Sequence, residues 1–503
     1  MSGFLIVVEG LTGDDKVPGA YAETKFGQGR VSIGSFPVKC LMIGYKLAGG
    51  TATVDQDVDM VPGQAEADGL YGARSQLAAM FSAAFGAVGE GGAEFWGAPT
   101  AEAGGGVVGD LDVTIGGAWS TSGYFTLYVG GRPYLIVVGA TDNIAAVVAR
   151  IETVVEADAN APWAVTDASP VATLVIQNKG EHGVQYYVGV DTSHAPSGLT
   201  VTLEGSPVAG TGGLYPMING AGAPTLTTLL GLLEADEYDY IVSGFNDATS
   251  LAAIEAHVDA QAISTIGHLE HVVCATNQAY ATAISRSATT LNAYRVCMLW
   301  DEYQEAHPSE WAAEFGAIRA SREGSEPWQN YIGTQLRAAK PKRYGPAVAT
   351  HAELKAALNN GLSPVTSVAG ECQIVRAIVT HCLNGTSPDY RCYDLNDAIV
   401  PDRIRKEEIA TWDVFAAANP AVQDDPAEGE NVPSGVAYPA LWNAQVYSDL
   451  IDFQDNRGWI QDVADYPPTS AWDSDSHRIV TAIPCVVRRI NAQVAMSIRQ
   501  IAS

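Results

Sequence analysis

Two short stretches bring ligand-type side chains close together. His268-Leu-Glu-His271 offers two imidazoles and a carboxylate. Its order differs from H-E-x-x-H, which sets two ligands and a base on one helix face, so structural roles for both histidines outweigh a metal site. Asp473-Ser-Asp-Ser-His477 is a better set of oxygen and nitrogen donors, yet Asp and Ser in a polar loop ordinarily terminate turns. Asp424-Asp-Pro-Ala-Glu-Gly-Glu430 lacks the alternating ligands of a calcium loop and reads as a solvated acidic loop. No G-x-S-x-G elbow or Walker loop occurs. The expectation is a chain with no catalytic residue, no metal and no cofactor.

Basic side chains are few, and two clusters stand out among them: Arg337, Lys340, Lys342 and Arg343, and then Arg403, Arg405 and Lys406. Solvated surface is the plain reading of both. The second is expected to begin a helix after Pro401, with Asp402, Glu407 and Glu408 interspersed. The formal charge of −29 argues against a nucleic-acid partner, because phosphate binding depends on clustered Lys and Arg.

A chain of 503 residues exceeds what one core usually supports, and 47% hydrophobic with 17% charged residues is a globular composition. The seven cysteines are odd in number, dispersed and free of C-x-x-C, which fits buried thiols made in a reducing cytoplasm. The opening Ser2-Gly-Phe-Leu-Ile-Val-Val-Glu9 has no basic region and only a short apolar run, so the expectation is a soluble protein without a signal peptide or membrane span.

The elements that would position these groups follow from periodicity. Residues 4–8 read as a strand on an arm, set off by the turn-rich stretch 10–19. A strand over 38–45, a small-residue helix over 75–85 and a strand over 94–99 start a compact unit. Gly104-Gly-Gly106 marks a boundary. After it come a hairpin over 124–138 turning at Gly130-Gly131, a helix capped by Thr141 or Asp142, and strands over 172–177, 185–190 and 199–203. From 239 to 321 strands and helices alternate in a layered α/β pattern. Thr350-His-Ala-Glu353 has capping-box spacing. Residues 478–501 read as strand, break at Pro484, and strand.

Several segments in order resemble the tail sheath protein of Mu-like contractile-tailed phages: Pro18-Gly-Ala-Tyr-Ala-Glu23, the apolar run from Lys39 to Ala52, Gly69-Leu-Tyr-Gly-Ala-Arg-Ser-Gln-Leu-Ala-Ala-Met80, and Tyr238-Asp-Tyr-Ile-Val-Ser-Gly-Phe-Asn-Asp-Ala-Thr-Ser-Leu251. Asn360-Gly-Leu-Ser-Pro-Val365, Val375-Arg-Ala-Ile-Val-Thr380 and Asp394-Leu-Asn396 resemble that family's C-terminal domain, where an apolar hairpin bearing an arginine precedes a helix. The resemblance implies a multidomain α/β and α+β fold: an extended arm over 1–21, a core over 22–105 and 214–370, an inserted outward-facing β-rich α+β domain over 106–213, a C-terminal sheath domain over 371–484 and a second arm over 485–503.

It also implies a structural subunit, not an enzyme, that stacks as hexameric rings around a tail tube and contracts to deliver the genome. Its partners would be further copies of itself, the tail tube protein, and the baseplate and tail terminator proteins, without nucleic acid or membrane insertion. It would reside in the virion tail after assembly in the host cytoplasm. Strands on flexible arms suit such a lattice, because β-augmentation gives directional bonds while a linker absorbs motion. The candidate arm residues are Phe4, Leu5, Ile6, Val7 and Val8, and Val486, Val487, Ile490, Val494 and Ile498; the candidate tube-facing residues are Arg403, Arg405 and Lys406. The alternatives are an enzyme on the α/β core, a glycan or surface binder whose anchors would be Trp119, Tyr124, Tyr128 and Tyr134, and the sheath of a phage-like injection device.

Overall fold

The computed structural model describes residues 38–209, 211–324, 326–343 and 349–491. The first elements are strand β1 (Lys39–Tyr45), strand β2 (Asp59–Met60), helices α1 (Gln64–Tyr71) and α2 (Gln76–Val88), and strand β3 (Glu94–Thr100). Ser75 caps α2 by accepting the Ala78 N–H. A second group follows: β4 (Val108–Gly117), β5 (Gly123–Val129), β6 (Arg132–Val138), α3 (Ile144–Glu156), β7 (Trp163–Ala168), β8 (Val171–Lys179), β9 (Tyr187–Asp191), β10 (Leu199–Leu203) and β11 (Tyr215–Pro216). The chain then returns through α4 (Thr227–Leu233), β12 (Tyr240–Ser243), α5 (Ala248–Gln261), β13 (His271–Thr276), α6 (Tyr280–Ile284), β14 (Val296–Trp300), α7 (Pro308–Glu323), β15 (Gln335–Leu336), α8 (His351–Asn359), β16 (Leu362–Val368) and β17 (Glu371–Ile374). Last come the pair β18 (Leu383–Asn384) and β19 (Ser387–Pro388), α9 (Leu395–Ala418), the pair β20 (Ala421–Val422) and β21 (Val436–Ala437), α10 (Pro439–Asp455), β22 (Ile460–Gln461), the hairpin β23 (Thr469–Asp473) and β24 (Arg478–Ala482), and β25 (Val486–Val487).

A nine-stranded sheet of order β15-β17-β16-β14-β13-β12-β1-β3-β2 organises the core. Its inner strands are parallel and buried on both faces, so they read as unbroken apolar runs such as Cys40-Leu-Met-Ile43. Alternate residues serve opposite layers. Cys40 and Met42 pack with Leu77 and Phe81 of α2 and with Trp311 and Phe315 of α7, while Leu41 and Ile43 pack with Leu251 and Ile254 of α5.

Residues 111–217 bury a separate core between two four-stranded sheets, β10-β4-β8-β7 and β11-β9-β5-β6, with α3 contributing Val147, Val148, Ile151 and Val155. This unit lies in sequence between β3 and α4. The sequence pattern places its hairpin correctly, with Gly130 and Gly131 both at positive φ in the turn. The cap of α3 is Asn143, however, and not Thr141 or Asp142; Asp142 instead accepts the Gly139 N–H and an Arg150 bond.

Three further expectations change. Strand β17 belongs to the large sheet, so the core runs past residue 370, and buried Cys372, Ile374, Ala377 and Val379 share its cluster. The apolar hairpin is β16 with β17, and residues 375–380 form no strand. Helix α9 begins at the Asp394 cap, with Pro401 inside it. A proline in a helix removes one backbone donor yet can be tolerated where tertiary packing dominates, and Leu395, Ala398 and Ile399 are anchored in the main core.

Candidate functional site

Enzymes with an open parallel sheet bind ligands where the strand order reverses, outside the carboxyl ends of the strands. Here that place is the end of β1 and β12, since the chain runs from β1 to β3 on one side and re-enters at β12 on the other. The crevice is occupied by the chain itself. Residues 181–185, between β8 and β9, sit over it, with the His182 ring 5.1 Å from Tyr45. The Gln185 and Asn246 side-chain amides exchange two bonds of 2.8 and 2.7 Å. Below them Gln76 accepts the Tyr45 N–H at 3.0 Å and donates to the Gly244 carbonyl at 2.7 Å. Burial pushes the His182 imidazole down to about 3, so it sits there neutral.

Of the basic residues 337–343, Arg343 clamps the same unit from another side, donating to the Gly131 carbonyl at 3.3 Å. Lys342 pairs with buried Asp301 at 2.5 Å, and Arg343 pairs with Glu305 at 3.0 Å while its guanidinium lies 4.1 Å from the centre of the Tyr128 ring. Tyr134 is buried against Trp163, and Tyr128 and Trp119 are half-buried, so of the four candidate glycan anchors Tyr124 alone is exposed, stacked on His194. Replacing Asn246 by alanine strands the buried Gln185 amide. A cost of about 1–3 kcal/mol is expected, read as faster hydrogen exchange over residues 181–185; unchanged protection there would contradict a plug held by this pair.

The basic cluster of α9 does not face outward. Arg403 and Arg405 are each 4% exposed. Arg405 donates to the Ala262 and Ile263 carbonyls at 2.6 and 3.0 Å, capping the end of α5. Lys406 pairs with Glu237 and Asp239 at 2.7 Å each, and Arg403 lies 3.8 Å from Asp239. Burial opposes the charge on Asp239, but Lys406 and Arg403 outweigh it and hold the carboxyl below its ordinary value. These three side chains therefore join α9 to the start of β12, and they are replaced as tube-facing candidates by an internal ionic joint. The misreading has a physical cause: in the interior of a helix docked on both sides, a run of cations meets carboxylates of its own chain.

Asp402 completes that joint. Arg295 grips it with bonds of 2.8 and 3.0 Å, and His271 lies 3.1 Å away. Burial disfavours the carboxylate, yet Arg295 and His271 prevail and hold it well below the usual range. The carboxylate and the second imidazole of the stretch 268–271 are thereby placed. Strand alternation sends His271 to Asp402 and Glu270 to His257 at 3.4 Å, on opposite sides. Asp473 closes the β23–β24 turn by accepting the Asp475 and Ser476 N–H groups and pairs with Arg478. Among the described residues no group of three or more His, Cys, Asp or Glu is placed to hold a metal, and no helix is long and apolar enough to cross a membrane.

Of the arm residues, Phe4, Leu5, Ile6, Val7, Val8, Val494 and Ile498 lie outside the described residues. Val486 and Val487 form β25, antiparallel to β22, and Ile490 is half-buried. Cys485 is buried with Trp442, Val446 and Leu450 in the C-terminal core. The chain over 485–487 is thus part of that core, which differs from an arm starting at 485.

The fold and these junctions define a multidomain α/β chain whose ligand crevice is filled by its own residues. The chain is a homologue of a Mu-like prophage tail sheath protein. It is 26% identical over 354 residues to the Mu-like prophage FluMu tail sheath protein of Haemophilus influenzae, an alignment covering 68% of this chain and 67% of that one. No family model matches. Among solved structures, the sheath tail protein of Desulfitobacterium hafniense aligns with a TM-score of 0.45 at 13% identity, covering 94% of this chain and 99% of that one. The sheath tail protein Lin1278 of Listeria innocua aligns with a TM-score of 0.45 at 10% identity, covering 90% and 92%.

Proposed function

We propose that this chain is a structural subunit of a contractile tail sheath, which polymerises as stacked hexameric rings around a tail tube and contracts to drive the tube through the host envelope. The observation that carries this reading is the 354-residue similarity to a Mu-like prophage tail sheath protein. The filled crevice supports it against the enzyme alternative, because the place where such a sheet would take a substrate is packed by Gln185 and His182. Of the four glycan candidates Tyr134 is buried and Trp119 and Tyr128 are half-buried, which weighs against the binding-module alternative. The unit over 108–217 would face outward from the tail, clamped to the core by the Gln185–Asn246 bonds and by Arg343, which donates to the Gly131 carbonyl and lies over the Tyr128 ring. The partners would be further copies, the tube protein, and the baseplate and terminator proteins, and the assembled sheath would belong to the virion tail.

The purified chain, imaged by negative-stain electron microscopy across a range of salt, is expected to show hollow striated cylinders. Monodisperse small particles under every condition would overturn the reading.

A further inference from the structure

Independently of the assembly reading, one place in the C-terminal core breaks the rule that buried charge is paired. Glu408 lies on the face of α9 that carries Ile404, Trp412 and Phe415, because residues four and seven apart share a helix face. That face packs against Trp442, Val446, Leu450 and Phe453 of α10, with the Trp412 and Trp442 rings 5.0 Å apart. Glu408 is 6% exposed, and neither carboxylate oxygen has a hydrogen-bond partner. From α10, Asp449 faces it electrostatically. Its Oδ1 accepts Gln445 Nε2 at 3.0 Å, and its Oδ2 is buried without a partner. Glu407 adds another buried, unpartnered oxygen.

The neighbouring charges do not neutralise this set. Arg403 and Arg457 act on Glu407, and Asp452 acts on both Glu407 and Asp449, while neither cation acts on Glu408. Arg457 pairs with Asp452 at 3.1 Å, Arg403 leans on Asp239, and Lys406 is held by Glu237 and Asp239. After β25, Arg488 bonds the Ile460 and Gln454 carbonyls, and Arg489 bonds Asp397. A carboxylate taken from water with no counter-charge neutralises by binding a proton.

We propose that the α9–α10 pair is a proton-linked joint, in which a proton on Glu408, facing Asp449, lets the two helices pack, and its loss at alkaline pH loosens them. Burial, then Asp449 and Glu407, push the Glu408 carboxyl well above its ordinary value; burial pushes Glu407 up to about 7 and raises Asp449. The folded joint then holds protons that the unfolded chain releases. Its stability is greatest at or below the ordinary carboxylate range and falls as pH rises through the elevated one.

The test uses the full chain and hydrogen exchange of α10, corrected for the intrinsic pH dependence of exchange. Protection in the unaltered chain is expected to fall at least tenfold between pH 6 and pH 9. Glu408→Gln, which fixes the neutral form, should hold it nearly constant and exceed the unaltered chain at pH 9. Asp449→Asn serves as a second variant, with a smaller effect of the same sign, should the first not fold. Protection of the unaltered chain that is independent of pH, or a loss of protection in both variants at pH 9, would overturn the proposal.

Discussion

Replacing Asp402 by asparagine is expected to detach α9 from the large sheet. The carboxylate is gripped by Arg295 at 2.8 and 3.0 Å and by His271 at 3.1 Å, all three groups being buried. Removing one partner of a buried ion pair costs about 3–5 kcal/mol, because the other charge stays desolvated. The opening free energy of α9, read by native-state hydrogen exchange, should fall by that order. The half-exposed pair Arg457–Asp452, broken by Arg457→Ala, should cost at most about 1 kcal/mol. A loss below about 1 kcal/mol for Asp402→Asn would mean that apolar packing of Leu395, Ala398 and Ile399 holds the helix without the ion pair. The pH dependence has its own sign. The Asp402 carboxyl is held below its unfolded value, so its contribution is complete above the ordinary carboxylate range and is lost as pH falls through the depressed one. This is opposite to the sign of the α9–α10 carboxylates, and the two joints of α9 should therefore respond to pH in opposite directions.

The parallel core was legible because its strands are buried on both faces, so Cys40-Leu-Met-Ile43 and Val296-Cys-Met-Leu-Trp300 stand out as apolar runs between turn residues. Caps made by local side chains were equally plain, as with Thr350 and Glu353. Strand β4 escaped notice although it alternates cleanly over ten residues, since Gly109, Gly116 and Gly117 dilute its pattern. Helix α10 carries Trp442, Val446, Leu450 and Phe453 on one face, a stripe that periodicity alone could have revealed. Helix α9 misled through Pro401, which ordinarily marks a first turn. The contacts of Asn246 with Gln185, and of Arg403 and Lys406 with Asp239, join residues 61 or more positions apart. Such pairings are set by tertiary packing and leave no local pattern to read.

Deleting residues 1–9, or residues 492–503, is expected to leave a folded subunit that no longer polymerises. On the arm model these segments act between copies, so melting temperature should be nearly unchanged while striated cylinders disappear under conditions in which the intact chain forms them. A cut at 484 is predicted to behave differently. It removes buried Cys485, the β25 partner of β22, and the Arg488 bonds to the Ile460 and Gln454 carbonyls. Losing a buried side chain and a strand pair together should cost several kcal/mol, on the order of the large core truncations. That variant should fail by loosening the C-terminal core, visible as early protease cleavage near Trp459, and not by loss of an arm alone. Sheath-like tubes of normal length from either terminal deletion would remove the arm model. Loss of polymer only in the cut at 484 would instead place the assembly determinant in the folded C-terminal core, between α10 and β25.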